Sequence, residues 1–89
     1  TPTPTDNQVM ENCDARLIRK LTTEIKPGDV VLIRYSAFAC HAAMVSEIPG
    51  QGLGLIHAYN GIGEVVEHIL SAPYRLRIAA AYSLPGVTD

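Results

Sequence analysis

The segment Lys26-Pro27-Gly28 divides the chain into a part with helical periodicity and a longer part with strand periodicity. Before it, apolar residues recur at intervals of three and four, which is typical of one face of a helix. These residues are Met10, Cys13, Leu17 and Leu21. Because proline and glycine end a helix, the pattern predicts a helix from Asp6 to about Ile25.

Five segments after Gly28 are apolar or alternate between apolar and polar residues, and turn residues separate them. They cover residues 30–35, 40–47, 53–59, 64–68 and 75–83. Residues 69–74 remain ambiguous and are compatible with one helical turn. A helix followed by consecutive strands predicts an α+β fold, in which an N-terminal helix packs on an antiparallel sheet of about five strands.

The predicted organisation is a flexible tail over residues 1–5 and one domain over residues 6–89. The tail is expected because its two prolines keep it extended. The first residue is Thr1 and not Met, which leaves open that a segment on the N-terminal side of the domain is missing.

Composition excludes several classes of protein. The 89 residues are 47% hydrophobic and 18% charged, a balance typical of globular domains and unlike that of disordered chains. The net charge of −2 and the lack of a basic run argue against nucleic acid as a partner. Apolar runs such as Ile78–Tyr82 are far shorter than the roughly 20 residues that span a bilayer, so no transmembrane segment is predicted.

Two histidines are expected to meet on one face of the sheet. If the turn between the second and third predicted strands centres on Pro49, His41 lies directly opposite His57, at a Cβ distance of about 4.5–5.5 Å. Two neighbouring imidazoles can act as a general base and as the group that orients it. The alternative is a pair of partly exposed histidines without a chemical role, and a one-residue slip in pairing would separate them.

The remaining candidate groups are interpreted as structural. The three histidines and two cysteines form neither a CxxC nor an HExxH motif, so neither a metal site nor a cofactor is predicted. Cys40 precedes His41 on a strand, where neighbours point to opposite faces, and is interpreted as a small apolar filler. His68 is assigned to a solvated face with no role.

Four segments follow one another along the chain: Pro27-Gly-Asp-Val-Val-Leu-Ile-Arg34, His41-Ala-Ala-Met-Val45, Leu55-Ile-His-Ala-Tyr59 and Val65-Val-Glu67. In this order they resemble the C-terminal sheet half of the NlpC/P60 family of papain-like cysteine peptidases, which cut peptide bonds in bacterial cell walls. The closing segment 75–86 is similar to the branch found with phage tails and gene-transfer particles. The resemblance covers roughly residues 27–86.

The resemblance implies a catalytic set of Cys13, His41 and His57. His41 would be the base, His57 its orienter and Cys13 the nucleophile that forms a thioester. However, Asn12-Cys-Asp-Ala15 departs from the family pattern Asp-Cys-Ser-Gly at a helix N-terminus, and Asp14 would raise the pKa of the thiol. Cys13 as a core residue of the helix is the competing interpretation.

The function implied by the resemblance is a cysteine peptidase or amidase whose substrate is a peptide of peptidoglycan. The alternatives are a non-catalytic binding or assembly domain, for example a phage-tail component, and a fragment that lacks its nucleophile helix. The corresponding location would be periplasmic, extracellular or virion-associated.

Overall fold

A short N-terminal helix against a six-stranded antiparallel open sheet makes up the α+β fold. The computed structural model describes residues 6–36, 39–58 and 64–86, and the side chains of 9–34, 41–58 and 64–86. The predicted tail lies outside these residues. The elements are α1 Asp6–Arg16, β1 Ile18–Lys20, a 3-10 turn at Thr22–Glu24, β2 Val30–Ser36, β3 Ala39–Ile48, β4 Gly52–Ala58, β5 Val65–Ile69, α2 Ala72–Arg75 and β6 Ile78–Ser83.

The sheet has the strand order β1-β6-β2-β3-β4-β5. Its five later strands confirm the predicted ones with shifted ends, whereas β1 was expected to be helical. The helix ends earlier because residues 18–20 pair with β6, from Ile18 opposite Ser83 to Lys20 opposite Ala81. The backbone N–H and C=O groups of residues 18–20 therefore bond to β6 and not to neighbouring turns of a longer helix. The pairing with β6 outweighs the helix propensity of this segment. Leu21, expected on the helix's apolar face, is 65% exposed.

The sheet separates two apolar clusters because successive strand side chains point to opposite faces. On the helix face, Val9, Met10 and Cys13 of α1, and Leu17 just after it, pack against Leu32, Ala80 and Tyr82. The opposite face, here called the histidine face, carries Val31, Ile33, Ala43, Val45, Leu55, Leu70 and Ala81, with Ile25, Leu53, Tyr74 and Ile78 against them.

The turn between β3 and β4 fixes how the residues of these two strands pair, including the position of His41 relative to His57. Val45 pairs with Leu55 and Ile48 with Gly52, so the centre of the turn is Gly50 and not Pro49. The Gln51 N–H donates to the Ile48 carbonyl at 2.9 Å, and Gly50 has a φ of 76°. Proline at the first corner and glycine with positive φ at the second are typical of a type II turn. The prediction that His41 lies directly opposite His57 is therefore wrong by two residues.

Two polar contacts hold the N-terminal part against the sheet. On the helix face, the buried Tyr82 donates its hydroxyl to Asp14 at 2.8 Å, and Arg19 binds the same oxygen at 3.0 Å. Burial, and then the hydrogen bond to Asp14, raises the pKa of Tyr82 to about 12. Near β2, Asp29 accepts from Lys20 Nζ at 2.7 Å and from the Lys26 N–H at 2.8 Å. Within the described residues, no helix has the length and apolarity needed to cross a bilayer.

Candidate functional site

The structure brings His41 and His57 into hydrogen-bonding contact on the histidine face. Nε2 of His41 lies 2.9 Å from Nδ1 of His57, and the two rings are nearly perpendicular, at 87°. A register shift of two residues preserves the face on which a strand residue lies. The rings therefore meet diagonally, at neighbouring positions of β3 and β4, and the shared face that the sequence predicted is confirmed.

A third histidine, to which the sequence analysis gave no role, extends this contact. His68 on β5 pairs with Leu55, and its Nε2 lies 2.7 Å from Nε2 of His57. Nδ1 of His68 lies 3.0 Å from the carbonyl oxygen of Ile69. The Tyr74 ring packs on His68 with a centroid distance of 4.5 Å. His41, His57 and His68 form a row of hydrogen-bonded imidazoles across three adjacent strands, here called the histidine row.

Burial favours the neutral imidazole at two positions of the histidine row. Burial lowers the pKa of His41. Burial also lowers the pKa of His57. Positive charge on either neighbouring imidazole, first His41 and then His68, lowers it further. A neutral imidazole retains one basic nitrogen, so the row can accept a proton near neutral pH.

The lowered pKa values predict that acid destabilises the fold. Since an unfolded histidine titrates near pH 6.5, the unfolded chain binds protons at positions 41 and 57 before the folded chain does. The contribution of these two histidines to the free energy of unfolding is therefore complete well above about pH 6.5 and falls as the pH is lowered through that value. Urea unfolding at pH 7, 6 and 5 should show a falling midpoint, with a smaller fall in His57→Gln. A midpoint that rises on acidification from pH 7 to 5 would contradict this.

Cys13 is not brought to the histidine row. Because Ile33 pairs with His41, His41 lies on the same face as Ile33. Cys13 instead packs on the helix face, against the cluster of Leu32, Ala80 and Tyr82. The backbone of the sheet thus separates the sulfur from the imidazoles. This placement agrees with the interpretation of Cys13 as a core residue and does not support its interpretation as the nucleophile. The side chain of Cys40 is not among those described.

The Cys13 thiol is expected to react slowly. Burial, and then the negative charge of Asp14, raises its pKa, so little thiolate is present at neutral pH. Iodoacetamide should alkylate Cys13 more slowly than a free cysteine at pH 7.5, as read by peptide mass spectrometry. Asp14→Asn should raise the rate, and His41→Gln should leave it unchanged. Rapid alkylation that depends on His41 would contradict the placement of Cys13.

Among the described residues, no three histidine, cysteine, aspartate or glutamate side chains are arranged to hold a metal ion. In the histidine row, both ring nitrogens of His57 are already engaged with the other two imidazoles. What the row offers chemically is a proton acceptor whose ring is oriented by its neighbours.

Comparison with known proteins adds no further assignment to this site. No protein-family model matches the chain, and no curated protein and no solved structure matches it either.

Proposed function

We propose that this chain carries the general-base half of a cysteine peptidase or amidase that acts on peptides of bacterial cell-wall peptidoglycan. The observation that carries the proposal is the 2.9 Å contact between Nε2 of His41 and Nδ1 of His57. A base whose ring is held by a second polar side chain is the arrangement that activates thiol nucleophiles. The substrate class comes from the resemblance of residues 27–86 to the NlpC/P60 family. On the same resemblance, we propose that the sheet corresponds to the sheet half of a papain-like fold.

In this function His41 takes the proton of a thiol at Nδ1, since its Nε2 is engaged with His57. The resulting thiolate attacks the carbonyl carbon of the peptide bond. The amine leaves with a proton from His41, and water then hydrolyses the thioester. Because Cys13 lies on the helix face, the thiol comes from a different segment of the gene product or from an assembly partner that packs over the histidine face.

The protein is purified from its host through an affinity tag, together with the polypeptides that stay bound to it. This purified complex, here called the native assembly, is used for the test. Purified peptidoglycan is incubated with it, and released peptides with new amino and carboxyl termini are identified by mass spectrometry. The proposal predicts cleavage that a thiol-alkylating reagent abolishes and that Cys13→Ser leaves unchanged. No cleavage, or cleavage that resists alkylation, would overturn it.

A second candidate function, assembly into a larger particle, is favoured by an uncovered part of the helix face. Met44, Val65 and Ile69 are 42%, 71% and 44% exposed, and their strand pairings place them on this face beyond the part that α1 covers. Large apolar groups in such positions are typical of interaction surfaces.

The assembly function predicts a result that the peptidase function does not. Val65→Lys combined with Ile69→Lys would release the chain from the native assembly, as measured by sedimentation, whereas His41→Gln would leave the assembly intact. If the double variant sediments with the same partners as the wild type, this surface has no assembly role.

A further inference from the structure

The Ile69 carbonyl determines where the hydrogens of the histidine row lie. A carbonyl oxygen only accepts hydrogen bonds, so Nδ1 of His68, 3.0 Å away, must be the donor. A neutral imidazole has one N–H, which leaves Nε2 of His68 as an acceptor. The direction of one hydrogen bond is thereby fixed at the β5 end of the row.

The same reasoning continues along the row in two steps. Because Nε2 of His68 accepts, Nε2 of His57, 2.7 Å away, donates, and Nδ1 of His57 becomes an acceptor. Nε2 of His41, 2.9 Å from that atom, must then donate. With its hydrogen on Nε2, a neutral His41 has its lone pair on Nδ1, the nitrogen that the proposed function requires as the base.

We propose that His68 is a positioning residue that, anchored on the Ile69 carbonyl, sets the tautomer of the base His41 through His57. This inference deepens the proposed function and rests on it for the identity of His41 as the base. Setting the tautomer matters because an imidazole with its hydrogen on Nδ1 has no lone pair there to accept a thiol proton.

The row also has a path for the proton. When Nδ1 of His41 gains a proton, the Nε2 hydrogen of His41 moves to Nδ1 of His57, and the Nε2 hydrogen of His57 moves to Nε2 of His68. One proton has entered, and one positive charge appears on His68. Every hydrogen bond of the row persists with its direction reversed, and the bond from Nδ1 of His68 to Ile69 is unchanged.

The end of the row is suited to hold that charge. The Ile69 carbonyl accepts from the imidazolium, and the Tyr74 ring, 4.5 Å from the His68 ring and tilted by 40°, presents π electrons to a cation. Burial lowers the pKa of His41 and His57, so a charge is disfavoured at those two positions. In this proposal His68 both orients the base and takes up the positive charge that enters with the proton.

The test is ¹⁵N NMR of the purified chain labelled at histidine, at pH 8. The sequence contains three histidines, so the ring-nitrogen spectrum reports the histidine row alone. We expect the hydrogen on Nε2 of His41, on Nε2 of His57 and on Nδ1 of His68, each as a single tautomer. A mixture of tautomers at His41 in the wild-type chain would overturn the inference.

Two substitutions separate positioning from packing. His68→Phe keeps a ring against Tyr74 but removes the acceptor for His57, so both tautomers should appear at His41. His68→Gln supplies an amide oxygen as acceptor and should restore the Nε2–H tautomer. In the native assembly, kcat should fall in His68→Phe and recover in His68→Gln. An unchanged single tautomer at His41 in His68→Phe would refute the role.

The two proposals can fail separately. The tautomers are measured without substrate or thiol, so a lack of peptidoglycan cleavage would refute the proposed function and leave the spectral result standing. Conversely, cleavage by an assembly whose His41 shows mixed tautomers would refute the positioning role alone.

Discussion

Replacement of His41 by glutamine is expected to slow peptidoglycan hydrolysis by the native assembly by roughly 10²–10⁴-fold, the usual contribution of a general base. The glutamine amide still has an N–H to donate to Nδ1 of His57, so the fold and the rest of the histidine row are retained. What is lost is the nitrogen that takes the thiol proton. The measurement is the initial rate of peptide release at equal concentrations of assembly.

Glu67→Gln is the matched control for this substitution. Glu67 neighbours His68 on β5 but pairs with Ile56, which places it on the helix face, away from the histidine row. Its replacement should leave the rate per intact assembly within about two-fold, because Glu67 lies on the face away from the base. If His41→Gln hydrolyses peptidoglycan as fast as Glu67→Gln does, His41 is not the base.

Replacement of Asp29 by alanine is expected to lower the free energy of unfolding by about 3–5 kcal/mol, the usual cost of removing one member of a buried ion pair. The side chains of Lys20 and Asp29 are only 11% and 4% exposed. The substitution leaves the Lys20 charge without this carboxylate and removes the acceptor of the Lys26 N–H. The measurement is urea unfolding followed by circular dichroism.

The double variant Lys20→Met with Asp29→Ala tests the cause of this loss. Removing both charges removes the penalty of a buried lysine without its carboxylate, so the double variant should be more stable than Asp29→Ala alone. A loss below about 1 kcal/mol in Asp29→Ala, the size typical of an exposed pair, would show that the contact is not a buried structural pair.

The strands after Gly28 were predictable because their pattern and their turns are local. The segments at 30–35 and 75–83 carry β-branched and aromatic residues, which favour strands. The sequence Pro49-Gly50 is typical of a turn, and this predicted the connection between β3 and β4. The strand at Ile18–Lys20 was not predictable in this way. It exists because β6, more than 60 residues further along the chain, pairs with it, and no local pattern reports such a partner.

The contact between His41 and His57 was predictable for a reason that survives an error in register. Misplacing the centre of the turn from Gly50 to Pro49 shifts the pairing by two residues. Since the side-chain period of a strand is two, both rings stay on the same face. The sequence therefore determined the shared face, whereas the diagonal geometry depends on the turn conformation.

His68 was missed because the sequence analysis assigned it, together with Glu64 and Glu67, to one solvated face of the strand. A usable signal was present in the alternation of strand side chains. His68 points to the face opposite that of Glu67 and Ile69 and shares its own face with the half-buried Val66. Recognising it also required the pairing of β4 with β5, in which His57 lies opposite Val66. The position of Cys13 depended on which face of the sheet α1 covers. The apolar face of a helix shows that the helix packs on a sheet but not on which of its two faces.

The most direct test of the account is the detection of ¹⁵N–¹⁵N couplings across the hydrogen bonds of the histidine row in the wild-type chain. Such couplings arise only where an N–H···N hydrogen bond joins two rings. We predict one coupling between Nε2 of His41 and Nδ1 of His57, and a second between Nε2 of His57 and Nε2 of His68. Three uncoupled rings that titrate independently would contradict the account.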